Sequence, residues 1–166
     1  MLSMNSAMTY TISTTSSAAT IRLGQTIGAR LKGGDVIELK GDVGSGKTTL
    51  TQGIVQGLGF SGEVPSPTFT LSRSYPLGSG LSLHHFDFYR LAGHDVVTEE
   101  LSEALEDPQA IAVIEWPGHG QAELPARRLR VTIEATAEEH RRTITLQSLN
   151  GGCQKIMEEV GHDNRS

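Results

Sequence analysis

The stretch Gly41-Asp-Val-Gly-Ser-Gly-Lys-Thr48 matches the phosphate-binding pattern G-x-x-x-x-G-K-S/T at every fixed position. The short apolar run Val36-Ile-Glu-Leu39 precedes it, and Leu50, Ile54 and Leu58 follow it with helical spacing. A strand, a glycine-rich loop and a helix in this order form a P-loop. The stretch therefore predicts an α/β fold in which loop amides and a helix N-terminus hold a phosphate chain.

The predicted nucleotide-binding residues of this loop are Gly41, Asp42, Val43, Gly44, Ser45, Gly46, Lys47, Thr48 and Thr49. Lys47 is expected to reach the β- and γ-phosphates, and the Thr48 hydroxyl is expected to ligate Mg²⁺. Thr49 is placed to add a hydroxyl to the α-phosphate. The loop predicts what the protein binds, and the chemistry depends on residues elsewhere.

The chain of 166 residues suits a single domain. We expect a flexible lead over residues 1–9, one P-loop domain over 10–149 and a polar, frayed tail over 150–166. The one cysteine, Cys153, excludes a disulfide within the chain and fits a reducing compartment. There is no signal-peptide pattern and no apolar run of roughly 18 residues. These features predict a cytoplasmic protein without a membrane partner.

The net charge of −5 gives the molecule no general electrostatic footprint for nucleic acid. Two small basic clusters exist, and we interpret both as solvated strand faces or turns. Their members are Arg127, Arg128, Arg130, Arg141 and Arg142. Strong direct binding to RNA or DNA is therefore not expected.

Hydrophobic periodicity predicts the remaining elements of the fold. They are an edge strand over 10–12, a helix over 18–31, a hairpin of strands 69–75 and 81–88, an acidic helix over 98–106, a buried strand over 111–116 and a hairpin of strands 129–135 and 142–148. The fold class is thus a P-loop NTPase-like three-layer domain with a mixed, largely parallel central sheet and antiparallel hairpins.

Four residues outside the loop are candidates for catalysis or ligand contact. Thr68 follows two prolines in an extended segment, which suits either a γ-phosphate sensor or a loop entering a strand. Asp87 lies among aromatic residues, where either a metal or a structural partner offsets the cost of its burial. Glu115 ends an apolar strand in the manner of a Walker B acid, and Trp116 beside it either shields the site or fills the core.

Other classes of protein fit this pattern less well. The base-reading segment Asn-Lys-x-Asp of Ras-type GTPases is absent. A small-molecule or nucleoside kinase needs an arginine-bearing lid, for which Arg127, Arg128 and Arg130 are the candidates. The histidines lack metal-ligand spacing, and the adjacent His84 and His85 point to opposite faces of a strand. A nucleotide-dependent adaptor without useful turnover is the non-enzymatic alternative.

Four motifs in order resemble the bacterial tRNA threonylcarbamoyladenosine biosynthesis protein TsaE family. They are the loop at 41–49, Ser-Pro-Thr-Phe-Thr-Leu at 66–71, His-Phe-Asp-Phe-Tyr-Arg-Leu at 85–91 and Ile-Glu-Trp-Pro at 114–117. The likeness covers roughly residues 18–149. Val43 and Ser45 depart from the usual loop residues, and we expect both side chains to point away from a site made by the backbone.

The resemblance implies roles by position. It implies ATP binding by residues 41–49 with Mg²⁺ on Thr48, Glu115 as the Walker B acid and Asp87 as a second acid near the metal. It also implies that Thr68 faces the γ-phosphate and that Trp116 and Arg142 contact the nucleotide. The implied activity is slow, partner-controlled ATP hydrolysis. The implied partners are TsaD and TsaB, which form N6-threonylcarbamoyladenosine next to the anticodon of tRNA.

Overall fold

The computed structural model describes residues 8–64, 72–88, 99–115 and 124–163. The strands are β1 (Thr9–Thr14), β2 (Val36–Lys40), β3 (Ser72–Pro76), β4 (Ser82–Asp87), β5 (Ala110–Glu115), β6 (Arg128–Ala135) and β7 (Arg142–Leu149). The helices are α1 (Ser17–Gly28), α2 (Lys47–Gly57), α3 (Glu99–Glu106) and α4 (Gln154–Asp163), and a single 3₁₀ turn spans Gly78–Gly80.

The strands form one sheet in the order β1-β7-β6-β2-β5-β4-β3. Its centre is parallel, because β2 pairs parallel with both β5 and β6, and β5 pairs parallel with β4. Its two edges are antiparallel, through β1 with β7, β7 with β6, and β3 with β4. The predicted fold class is therefore confirmed, and so are both hairpins and the edge strand.

Each face of the sheet has its own hydrophobic core. On one face, Ile37 and Leu39 of β2 pack in the same cluster as Ile27 of α1 and Leu50 and Ile54 of α2. On the other face, a smaller cluster brings Val36 and Phe86 of the sheet against Leu101 of α3. Helices on both faces of the sheet give the three layers that the P-loop pattern predicts.

Helices α1 and α2 approach so closely that their contact surface is made of glycine. A side chain on Gly24 or Gly28 of α1 would overlap the backbone of α2, and one on Gly53 or Gly57 of α2 would overlap the backbone of α1. These four glycines let two helix backbones touch, which larger residues prevent. Helix α1 is thus fixed directly on the helix that begins at the P-loop.

The C-terminal segment differs from the expected frayed tail. Residues 154–163 form α4, and its Ile156, Met157 and Val160 are buried in the larger core. These three side chains repeat at i, i+1 and i+4, which is one face of an amphipathic helix within an otherwise polar sequence. For residues 154–163 the prediction of a frayed tail was wrong, because three apolar side chains suffice to anchor a short helix on an existing core.

No helix in the described ranges is both long enough and apolar enough to cross a lipid bilayer.

Candidate nucleotide site

The loop between β2 and α2 has the backbone shape that its glycines permit. Gly44 and Gly46 have φ angles of 80° and 111°, in the region that favours glycine. An added Cβ on Gly41 would come within 2.6 Å of the Ile133 carbonyl of β6. The loop therefore depends on glycine for two of its turns and for its contact with the neighbouring strand.

Lys47 begins α2 and folds its side chain back over the loop. Its Nζ donates to the carbonyl of Gly41 at 2.5 Å and to the carbonyl of Asp42 at 3.1 Å. The side chain is largely buried. The ammonium group is thus held beside the loop, where an anion bound to the first-turn amides of α2 would meet it.

The first turn of α2 also carries the predicted threonines. The amide of Leu50 bonds the carbonyl of Gly46 at 2.9 Å, so Lys47, Thr48 and Thr49 supply the amides that precede the helical hydrogen bonds. Thr48 and Thr49 are half-buried at this end of the helix. Amides, hydroxyls and ammonium are concentrated at one helix N-terminus, which suits a phosphate ligand.

The two unusual loop residues occupy different surroundings. Val43 is 77% exposed at the tip of the loop, in agreement with the expected outward side chain. The Ser45 side chain is buried, and its Oγ lies where a side chain on Gly41 would be. Ser45 therefore packs inside the loop.

Arg142 contacts the loop from the start of β7. Its Nε donates to the Ser45 carbonyl at 2.8 Å, and its Nη1 donates to the carbonyls of Glu139 and Arg141 at 2.8 and 2.9 Å. The guanidinium thus joins the turn between β6 and β7 to the backbone of the P-loop. The structure brings this predicted site residue to the loop itself, and its contact with a nucleotide stays a prediction.

Asp87 and Glu115 meet at the ends of two adjacent strands. They are register partners at the carboxyl ends of the parallel strands β4 and β5, and Glu115 is in turn opposite Leu39 of β2. Side chains two or four residues apart on a strand point to the same face of the sheet. Leu83 of β4 and Val113 of β5 lie in the larger core, so Asp87 and Glu115 also face the side of the sheet that carries α2. Ligands of open α/β sheets bind at this edge.

The oxygen groups at this edge suit magnesium. The hydroxyl of Thr48 and the carboxylates of Asp87 and Glu115 are hard oxygen donors, and Mg²⁺ is usually held by one or two carboxylates together with phosphate oxygens and water. The residues present therefore fit the predicted metal. Thr68 and Trp116 lie outside the described residues, and their roles stay predictions.

His85 is a buried partner of Glu115 that sequence patterns alone did not predict. Its Nε2 lies 2.9 Å from Glu115 Oε1, and the two side chains are only 1% and 5% exposed. His85 precedes Asp87 by two residues, so both point to the same face of β4. The i, i+2 spacing of His85 and Asp87 on one strand is therefore a sequence signal that could have indicated His85. A search for histidines with metal-ligand spacing does not find this residue.

A cleft of about 350 Å³ opens beside the loop. Its walls are residues 41–45 of the P-loop and 132–135 at the end of β6. The volume lies within the range of small-molecule sites.

The basic cluster at the start of β6 is not a solvated face. Arg128 and Arg130 donate their Nε groups to Glu38 Oε2 at 2.8 and 3.0 Å, and Glu38 is fully buried on the central strand. A buried carboxylate requires such partners. The interpretation as a solvated face was wrong for these two arginines. Because both are ion-paired with Glu38, they are no longer candidates for the arginines of a kinase lid.

Comparison with known proteins shows the family to which the chain is similar. The family model "Threonylcarbamoyl adenosine biosynthesis protein TsaE" matches residues 14–144. The TsaE protein of Streptomyces coelicolor is 43% identical over 68% of this chain and 76% of its own length. The TsaE protein of Bacillus subtilis is 36% identical over 81% of this chain and 84% of its own.

Among solved structures, the crystal structure of YdiB from Bacillus subtilis superposes with a TM-score of 0.77 at 29% sequence identity. The match covers 95% of this chain and 97% of that one. The likeness therefore extends over nearly all of the fold. The chain belongs to the TsaE family of tRNA threonylcarbamoyladenosine biosynthesis proteins.

Proposed function

We propose that this protein binds ATP with Mg²⁺ and hydrolyses it, and that it does so together with TsaD and TsaB in forming threonylcarbamoyladenosine on tRNA. The observation that carries the proposal is the position of Lys47. Its ammonium lies against the loop carbonyls of Gly41 and Asp42, at the N-terminus of α2.

Binding follows from the charges at that helix end. A triphosphate takes the first-turn amides as donors, and Lys47 exchanges its carbonyl contacts for phosphate oxygens, which carry more negative charge. Thr49 adds a hydroxyl in the same turn. Arg142 keeps the loop in shape through the Ser45 carbonyl.

Hydrolysis relies on Asp87 and Glu115, the two acids at the carboxyl ends of β4 and β5. Thr48, Asp87 and Glu115 are the groups that would hold Mg²⁺, directly or through water. When bound, the metal neutralises charge on the β- and γ-phosphates. Glu115 then orients a water molecule toward the γ-phosphate, and Thr68 assists in the role that the family resemblance implies. Positioning and electrostatic stabilisation account for most of the catalysis of phosphoryl transfer.

The partnership with TsaD and TsaB is proposed from family membership and from charge. The net charge of −5, together with the pairing of Arg128 and Arg130 to Glu38, leaves little basic surface for tRNA. The RNA is then held by the partners, and ATP hydrolysis by this chain resets their complex.

Lys47→Ala tests the binding site. The substitution removes two charge-assisted contacts between the Lys47 ammonium and phosphate oxygens, each worth about 1.5–3 kcal/mol. We therefore expect ATP affinity, measured by calorimetry with Mg²⁺, to weaken roughly 100-fold or more. Lys155→Ala removes the same charge from an exposed position on α4 and serves as the matched control. Equal affinity of the two variants would show that the loop is not the nucleotide site.

Turnover is measured separately as phosphate release with and without TsaD and TsaB. Glu115→Gln is expected to bind ATP and to release little phosphate. If the wild-type protein releases no phosphate under either condition, the chain binds ATP as an adaptor and the hydrolytic part of the proposal is wrong. If a metabolite becomes phosphorylated in place of water, the chain is a kinase.

A further inference from the structure

The pair formed by His85 and Glu115 carries a further inference, which rests on the proposed ATPase function. The two side chains lie on adjacent parallel strands, with His85 opposite Val113 and Asp87 opposite Glu115. The Nε2 to Oε1 distance is 2.9 Å, and both groups are almost completely buried. The bond is therefore shielded from competition by water.

The surroundings of the imidazole fix the direction of this bond. His85 Nδ1 is buried and has no hydrogen-bond partner among the residues that the structure describes. A hydrogen on Nδ1 would leave a buried donor unsatisfied, and it would also turn the Nε2 lone pair toward the carboxylate. A bare Nδ1 is less costly, so His85 carries its hydrogen on Nε2 and donates it to Glu115 Oε1.

This bond determines what the carboxylate can do. With Oε1 accepting from His85, the carboxyl group of Glu115 cannot rotate freely about its last torsion, and Oε2 is the oxygen left for metal-bound or attacking water. Partners that orient a catalytic or metal-binding side chain in this way typically change activity about 10–100-fold when they are removed. Asp87, the register partner of Glu115, is the second acid at the carboxyl ends of these two strands.

We propose that His85 is a positioning residue of the ATPase site: its Nε2–H holds Oε1 of Glu115 so that Oε2 faces the metal-bound and attacking water. His85 itself touches neither nucleotide nor metal in this scheme. Its contribution is the orientation of one carboxylate, which is present before ATP binds.

Two amide substitutions separate positioning from simple core filling. The side-chain nitrogen of glutamine can occupy the place of histidine Nε2, whereas the nitrogen of asparagine reaches only the place of Nδ1. His85→Gln therefore keeps a donor for Glu115, and His85→Asn removes it. Both replace a buried ring by an uncharged amide, so they form a matched pair.

The first measurement is steady-state ATP hydrolysis with Mg²⁺ in the presence of TsaD and TsaB. We expect His85→Asn to lower kcat by about 10–100-fold while KM changes by less than about threefold. His85→Gln should recover most of the loss. In a Glu115→Gln background, His85→Asn should cause no further decrease, because the oriented carboxylate is already gone.

The second measurement does not depend on activity, and it uses the His85→Gln variant only to assign the signals. Long-range proton–nitrogen NMR of the ligand-free wild-type protein reports which imidazole nitrogen of each histidine carries the hydrogen. The His85 signals are assigned by their absence from the His85→Gln spectrum. We expect a single Nε2–H tautomer for His85.

Several results would overturn the inference. A hydrogen on Nδ1, or a mixture of tautomers, would show that the donor is absent. Equal loss of kcat in the Asn and Gln variants, with ATP affinity retained, would reduce His85 to core packing, and no loss in either would remove any role. A wild-type protein without ATPase activity would instead refute the proposed function and positioning together, while the tautomer spectrum still reports the bond alone.

Discussion

The glycine contact between α1 and α2 gives a quantitative prediction about Gly24. An alanine Cβ there would lie 2.5 Å from the Leu50 carbonyl oxygen, 2.8 Å from Gly53 Cα and 2.9 Å from the Ile54 nitrogen. Ordinary van der Waals contact begins at 3.4 Å, so the closest of these is short by about 0.9 Å. All three obstacles are backbone atoms, which cannot rotate away, so the helices must separate.

Two opposing terms decide the sign of Gly24→Ala. Alanine in a helix interior is favoured over glycine by about 1 kcal/mol. Overpacking of a well-packed contact costs about 1–3 kcal/mol, and a clash with backbone belongs at the upper end. The net loss is then about 2 kcal/mol, which lowers the melting temperature of a chain of this size by roughly 4–8 °C.

Urea unfolding followed by circular dichroism measures this change in the free energy of unfolding. Gly78→Ala is the control, because Gly78 has an ordinary φ and a Cβ added there would meet no atom within 4 Å. The control should stay within about 0.5 kcal/mol of wild type. If Gly24→Ala were as stable as wild type or more so, the close approach of the two helices would be incorrect.

Two further predictions concern the C-terminal region. Met157→Ala should cost about 2–5 kcal/mol in urea unfolding, because Met157 is fully buried in the larger core, whereas a frayed tail would show almost no change. Burial raises the pKa of the Cys153 thiol from 9.0 to about 12, so at pH 8 the native protein should react with a thiol reagent about 1,000-fold more slowly than unfolded chain. Because the pKa of the thiol is higher in the folded than in the unfolded state, its contribution to stability is complete below pH 9 and is lost as pH rises toward 12. A fast reaction of the native protein with the thiol reagent at pH 8 would contradict the burial of Cys153.

Much of the fold could be predicted because its signals are local. The loop pattern, the alternation in β6 and β7, and the apolar run ending at Glu115 depend on residues that are close in sequence. The same local signals could not show that α4 packs on the core. A short amphipathic helix with a polar composition becomes stable only where a core exists to receive its apolar face.

The candidate site divides in the same way. Lys47 and Thr48 could be assigned from the motif, since the loop needs only its own backbone. The pairing of His85 with Glu115 joins residues 30 positions apart, and the ion pair of Arg128 with Glu38 joins residues 90 positions apart. Such pairs depend on strand order and register, which no single stretch of sequence specifies.

The sequence alone thus determined that a strand, a glycine-rich loop and a helix form a phosphate-binding turn, because that turn is built from consecutive backbone groups. The tertiary structure decided which side chains surround it. Parallel pairing of β4 with β5 brings Asp87 and His85 to Glu115, and the approach of α1 to α2 is set by glycines on two separate helices. Contacts between distant segments form only when the whole sheet and its helices are assembled, because each requires a surface that the other segments provide.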